Sequence, residues 1–195
     1  MGNAVKAIWA LFGDVRIEGM SNFHNDFKQS MTKLLKSQES ELVKKDYSLA
    51  IPKEYMTQKG FWNLVAEPCT YGIIWFSHAY QYQDSGITAP AGWDEKPILM
   101  KDVHGVSKNL QFAAILGCKL YEYQYEWAKT LNLIRFKDYK KRMVVYDMYL
   151  PAIAEERGNR WQQSIDTIRK FLKEKSHSLS MIYNYPTWVE MLPKV

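Results

Sequence analysis

Glu174 and His177 form a Glu-x-x-His spacing, which in helical bundles belongs to di-iron sites when a second copy and two further glutamates accompany it. Only one copy is present, at the end of a helical pattern, so no metal site is expected. Glu122 and Glu126 stand one helical turn apart and are in principle a paired acid and base. Set among Tyr121, Tyr123, Tyr125 and Trp127, they read as surface decoration. Asp102 and His104 are two residues apart and do not share a helical face. Cys69 and Cys118 are the two cysteines of the chain, enough for one disulfide at most. Both lie in apolar helical patterns and read as buried small hydrophobes. Gly-x-Ser-x-Gly, the phosphate-cradling Gly-rich loop, the dinucleotide fingerprint, the zinc helix His-Glu-x-x-His and Cys-x-x-Cys are all absent. The expectation is a protein without catalytic residues and without a cofactor.

The remaining chemistry is basic and aromatic. The formal net charge is +5, and residues 135–195 hold 12 Lys and Arg against 7 Asp and Glu. The densest segment is Arg135-Phe136-Lys137-Asp138-Tyr139-Lys140-Lys141-Arg142. Arg135, Lys137, Lys140, Lys141 and Arg142 suit phosphate contacts, because each neutralised phosphate releases condensed counterions. A solvated helix start explains the same cluster equally simply. Lys28, Lys33, Lys36, Lys44 and Lys45 form a second candidate nucleic-acid face, interleaved with Asp26, Glu39, Glu41 and Asp46. Aromatic residues reach 14% of the chain, which suits either stacking on bases or packing of a core and its contact surfaces.

The elements that must position these residues read as helices. Residues 2–12 carry Val5, Ile8, Trp9 and Phe12 at helical spacing. Ser21 can cap a helix over 21–45 striped by Phe23, Phe27, Met31, Leu34 and Leu35. A third helix is predicted over 53–67. Residues 70–83 read as a buried helix, with a strand as the alternative because Ile73-Ile74-Trp75-Phe76 is good strand material. Residues 84–97 are a loop rich in Gly, Pro and other turn formers. Helical patterns follow over 106–131, over 136–157 with a break near Pro151, and over 159–175. The tail 179–195 is apolar enough to require packing on the body or a second subunit. Composition is that of a globular chain, 47% hydrophobic and 24% charged, which excludes disorder as the main state. No apolar run approaches the ~20 residues of a membrane span, and no targeting segment is evident, so an untargeted, intracellularly made protein is expected. The resulting expectation is an all-α fold: a helical N-terminal arm, 1–52, followed by a helical bundle body with an apolar tail, 53–195.

The turn Ser85-Gly86-Ile87-Thr88-Ala89-Pro90, preceded by Tyr80-Gln81-Tyr82-Gln83, resembles the Gly-Ile-Thr-x-Pro turn of the coat proteins of filamentous archaeal viruses, the rudiviruses and lipothrixviruses. The order of arm and body is similar too. The resemblance implies a non-enzymatic capsid protein of the virion, made in the host cytoplasm. Such proteins pair as homo- or heterodimers, line a helical filament and wrap linear double-stranded DNA without reading its sequence. Nothing in the residues indicates a membrane envelope. The alternatives are a small basic all-helical nucleic-acid-binding or regulatory protein, and a helical-bundle enzyme or ligand binder whose site the sequence does not show.

Overall fold

The computed structural model describes residues 5–82, 87–148 and 150, and isolated positions beyond: 166, 176–177, 184–185, 189 and 192. Its centre is a parallel sheet. The five strands are β1 (Ala7–Phe12), β2 (Ser48–Ala50), β3 (Thr70–Phe76), β6 (Phe112–Gly117) and β7 (Met143–Asp147), in the order β2-β1-β3-β6-β7. Every pairing among them is parallel. An antiparallel pair, β4 (Ala79–Tyr82) and β5 (Ile87–Pro90), stands on the carboxyl end of β3. A two-residue pair, β8 (Ser176–His177) and β9 (Asn184–Tyr185), lies near the chain end. The helices are α1 (Phe23–Lys36), α2 (Glu39–Val43), α3 (Gln58–Ala66), α4 (Gln124–Thr130) and α5 (Tyr139–Arg142).

The fold is therefore α/β, and the all-α expectation is overturned. The reason is visible in β1 and β6. A parallel strand covered on both faces is a continuous apolar run, and any period fits such a run. Residues 7–12 are all apolar, so the helical spacing of Ile8, Trp9 and Phe12 carried no information. The small residues Ala113, Ala114 and Gly117, read as one face of a long helix, lie in β6, which is buried along its whole length. For residues 70–83 the strand alternative is the observed one, divided between β3 and β4. The loop over 84–97 contains β5, and the helical pattern over 136–157 opens with α5 and continues into β7. The pattern over 159–175 lies outside the described residues except for Asp166.

Side chains of successive strand residues alternate between two cores. Ile8, Phe12, Ile74, Phe76 and Leu116 meet Phe23, Phe27, Met31 and Leu35 of α1 on one face. Leu11, Ile73, Trp75 and Ile115 meet Phe61, Trp62 and Val65 of α3 and Trp127 of α4 on the other. Of the stripe predicted for α1, Phe23, Phe27, Met31 and Leu35 are buried and Leu34 partly so, and both α1 and α3 are shorter than expected. Val189 and Leu192 of the tail are buried in the first core, and the Lys45 ammonium donates to both of their carbonyls at 2.7 Å.

Candidate active site

In an open parallel sheet the ligand crevice lies beyond the carboxyl ends of the strands, where the strand order reverses. Here β1 leads outward to β2, whereas β3 leads the other way to β6, so the reversal falls between β1 and β3. The turns that follow β1, β3 and β6 share this edge, and the cleft there is lined by the segment after β1 together with Tyr80 and Glu95.

The β3 turn carries His78. The last register pair of β3 and β6 is Phe76 with Leu116, and the next hydrogen bond, Ser77 N–H to Leu116 O at 3.1 Å, carries the ladder one step further. His78 and Cys118 are each two residues past that pair. Gly117 makes the approach possible. A Cβ there would lie 3.0 Å from Ser77 O and 2.8 Å from Leu120 Cδ1.

His78 is 4% exposed and held on every side. Its N–H donates to Asp14 O at 2.6 Å, and its carbonyl accepts from Ala91 N–H at 3.1 Å and Ser77 Oγ at 2.7 Å. Its ring packs on Tyr80, centroids 5.7 Å apart. Nε2 lies 2.6 Å from the carbonyl oxygen of Arg16. A carbonyl only accepts, so Nε2 carries the hydrogen, and it is the tautomer with its lone pair on Nδ1 that the neutral ring adopts in this bond. Ser77, fully buried, braces the turn by accepting from Trp75 Nε1 at 2.8 Å. Cys118 is partly buried, and its thiol donates to Met148 O at 3.0 Å beyond β7.

The β1 turn supplies Gly13, Asp14 and Arg16. A side chain at Gly13 would collide with the Ala91 carbonyl and the Trp75 ring. Asp14 is 4% exposed, and its carboxylate accepts from Arg16 Nε at 2.9 Å and from the Tyr80 hydroxyl at 3.2 Å. The hydrogen bond it donates to Asp14 holds the Arg16 guanidinium above its ordinary pKa, against an opposing effect of burial. Arg16 also reaches Trp93 O at 3.2 Å and Glu95 at 2.9 Å, with its guanidinium 4.4 Å over the Trp93 ring. Asp14, Arg16, Glu18, His24, Tyr80 and Glu95 line a cleft of about 660 Å³, whose lining includes neither His78 nor Cys118.

Three carboxylates, Asp14, Glu18 and Glu95, thus face the cleft with one guanidinium already paired to two of them. This donor set does not fit a phosphate. Flavin-binding domains with the same strand order seat their cofactor at this switch point, and a helix N-terminus there is the usual phosphate cradle. The acidic turn from Gly13 to Asn22 is unsuited to that role. Among the described residues, no group of three or more His, Cys, Asp or Glu is placed to hold a metal.

The residues singled out for phosphate contact lie elsewhere. Lys28, Lys33 and Lys36 are on α1, Lys44 and Lys45 follow α2, and Arg135, Lys137, Lys140, Lys141 and Arg142 surround α5. None lines the cleft. Several spend their charge within the chain. The Lys28 ammonium donates to the carbonyls of Lys53 and Glu54 at 2.6 and 3.1 Å, and burial lowers its pKa. Lys44 pairs with Glu41. Arg135 donates to the carbonyls of Lys108 and Leu110, and Arg142 pairs with Asp138 at 2.7 Å. Sequence reasoning missed His78 as a site residue and took Cys118 for a core hydrophobe. The available signal was an apolar run ending in a chemistry-bearing residue, Gly72–Phe76 before His78 and Phe112–Gly117 before Cys118.

No family model matches the chain, and neither does any curated protein. Among solved structures, the chain is similar to the NAD(P)H:quinone oxidoreductase from Methanothermobacter marburgensis. The two share 9% identity over 87% of this chain and 96% of that one, with a TM-score of 0.35. At that level the likeness transfers no chemistry. The coat-protein function and the non-enzymatic reading both depended on an all-helical body. The parallel sheet with a crevice at its carboxyl edge overturns them, and with them the all-helical regulator.

Proposed function

We propose that the protein is a cysteine-nucleophile acyl-transfer enzyme, a thiol hydrolase, with Cys118 as nucleophile and His78 as general base. The observation that carries this reading is their placement at matching positions past the ends of adjacent central strands, with the His78 tautomer fixed by Arg16 O. Nucleophile, base and orienting acceptor are the three parts that activated-nucleophile catalysis requires.

The chemistry follows from the groups. Rotation about χ1 carries the Cys118 sulfur from its resting bond with Met148 O toward β3. His78 Nδ1 takes the thiol proton, and the thiolate adds to the carbonyl carbon of an ester or amide. The imidazolium returns the proton to the leaving group, and a thioester remains. Water, activated by the same Nδ1, then releases the acid and restores the thiol. The cleft lined by Arg16 and Tyr80, the two residues that touch the His78 ring, receives the group flanking the scissile bond, and its acidic lining suits a basic side chain there.

Replacing Cys69 by Ser leaves Cys118 as the sole cysteine, so iodoacetamide alkylation followed by mass spectrometry reads one thiol. Alkylation is expected to rise with an inflexion well below the ~8.5 of an ordinary thiol, and His78→Ala is expected to return it there. An ordinary inflexion that His78→Ala leaves in place refutes the pairing.

A further inference from the structure

Arg16 faces two ways. Its main-chain carbonyl receives the Nε2 hydrogen of His78 at 2.6 Å. Its side chain runs the opposite way, to the hairpin over 91–97. There it donates to Trp93 O and Glu95, and its guanidinium carbon lies 4.4 Å from the centroid of the Trp93 ring. The hairpin is a preformed unit. Gly92 N–H donates to Lys96 O and Glu95 N–H to Gly92 O, both at 2.9 Å, and Ala91 bridges Pro97. It is seated on the segment before α3 through Trp93 N–H to Met56 O at 2.9 Å, Asp94 on the Gln58 amide at 3.0 Å, and Trp93 stacked on Tyr55 at 4.1 Å. Glu95 and Arg16 both line the cleft.

We propose that Arg16 is a positioning residue that couples the seating of this hairpin to the orientation of His78. The inference rests on the reading of His78 and Cys118 above. A planar guanidinium serves Asp14, Trp93 O, Glu95 and the indole face at once, and a lysine ammonium cannot reproduce that fork. With the guanidinium fixed, the main chain at Arg16 is fixed, and the acceptor for Nε2–H stays in place. When the hairpin leaves its seat, the acceptor shifts and the orientation of the His78 ring shifts with it. The charged and titratable groups around His78 are Asp14 and Arg16 on the β1 turn, Tyr80 on β4, Cys118 on the β6 turn, and Glu95 acting through Arg16.

The test uses the full chain with Cys69→Ser and reads the pH profile of Cys118 alkylation by iodoacetamide beside the thermal midpoint. Arg16→Gln is expected to slow alkylation at pH 7 about tenfold, the scale on which misplacement of a reacting group acts. It is also expected to move the inflexion upward. Arg16→Lys should recover only part of the rate. Glu95→Gln, which leaves the buried Asp14 contact intact, should act in the same direction by a smaller factor and keeps the proposal testable if Arg16→Gln fails to fold. Lys44→Gln, which breaks a surface pair, should change neither readout. A lowered midpoint with an unchanged profile in Arg16→Gln and Glu95→Gln overturns the coupling. The pairing of His78 with Cys118 fails separately, if His78→Ala leaves the profile of the parent protein unchanged.

Discussion

His78 and Cys118 occupy matching positions on neighbouring strands, each the second residue beyond the last register pair, Phe76 with Leu116. The match is a consequence of parallel pairing. Two parallel strands in register present their following turns on the same edge of the sheet. Residues far apart in sequence therefore come to the same edge of the sheet without any local motif joining them.

Ser77 is the brace that the histidine turn cannot lose without a measurable cost. Its hydroxyl accepts from Trp75 Nε1 and donates to the His78 carbonyl. Ser77→Ala leaves the buried indole N–H without an acceptor, whereas Ala91 N–H keeps the His78 carbonyl. The expected loss is about 1–3 kcal/mol in urea unfolding, with slower alkylation of Cys118. A variant as stable as the parent would show that the Ser77 bonds contribute nothing net.

Two glycines separate backbone need from accident. At Gly13 a Cβ meets the Ala91 carbonyl and the Trp75 ring, both fixed in the core. At Gly105 its nearest neighbour is Ala66 Cβ at 3.9 Å, an ordinary contact. Gly13→Ala is expected to cost at least about 2–3 kcal/mol through overpacking. Gly105→Ala should be neutral or stabilising by up to ~1 kcal/mol, because it restricts the unfolded chain. Thermal denaturation of both variants checks the contrast, and equal midpoints would contradict the close approach at Gly13.

Tyr47 gives the fold an alkaline limit. Burial pushes its hydroxyl from 10.0 up to about 12. Between those values the unfolded chain loses the phenolic proton while the folded chain keeps it. The contribution is therefore full below pH 10 and declines as pH rises toward 12, by at most about 3 kcal/mol. Tyr47→Phe should flatten the fall in stability between pH 10 and pH 11.5 in urea titrations. An identical slope in both proteins would remove Tyr47 from the account.

What the sequence allowed and what it hid divide along a physical line. The stripes of α1 and α3 were legible because each helix has one dry and one wet side. Phe23, Phe27, Met31 and Leu35 on one helix, and Phe61, Trp62 and Val65 on the other, are the buried residues. The turn residues near Pro90 and Gly92 were legible as well, since they are set by local backbone chemistry. β1 and β6 were not, because a strand dry on both faces has no period to read. The site was hidden for the same reason. Cys118 looks like one more small apolar residue until β6 is known to end at Gly117 and to lie beside β3.

The cleft sets the last expectation, about which acyl donors the proposed thiol hydrolase would take. Asp14, Glu18 and Glu95 line it, and Arg16 is the one guanidinium among the lining residues, bound to Asp14 and Glu95. A substrate carrying Lys or Arg beside the scissile bond brings a cation toward uncompensated carboxylate charge. One carrying Asp or Glu meets like charge from the exposed Glu18 and Glu95 and the buried Asp14. In a panel of fluorogenic peptide amides differing at that one position, basic members should be cleaved at least about tenfold faster than acidic ones, judged by kcat/KM. Glu18→Lys should narrow the ratio by raising KM for the basic members. It should leave iodoacetamide alkylation of Cys118 unchanged, since Glu18 lies outside the bonds that hold His78. A panel cleaved without regard to charge would mean that the acidic wall does not contact the substrate, and the cleft would then have to be assigned to another ligand.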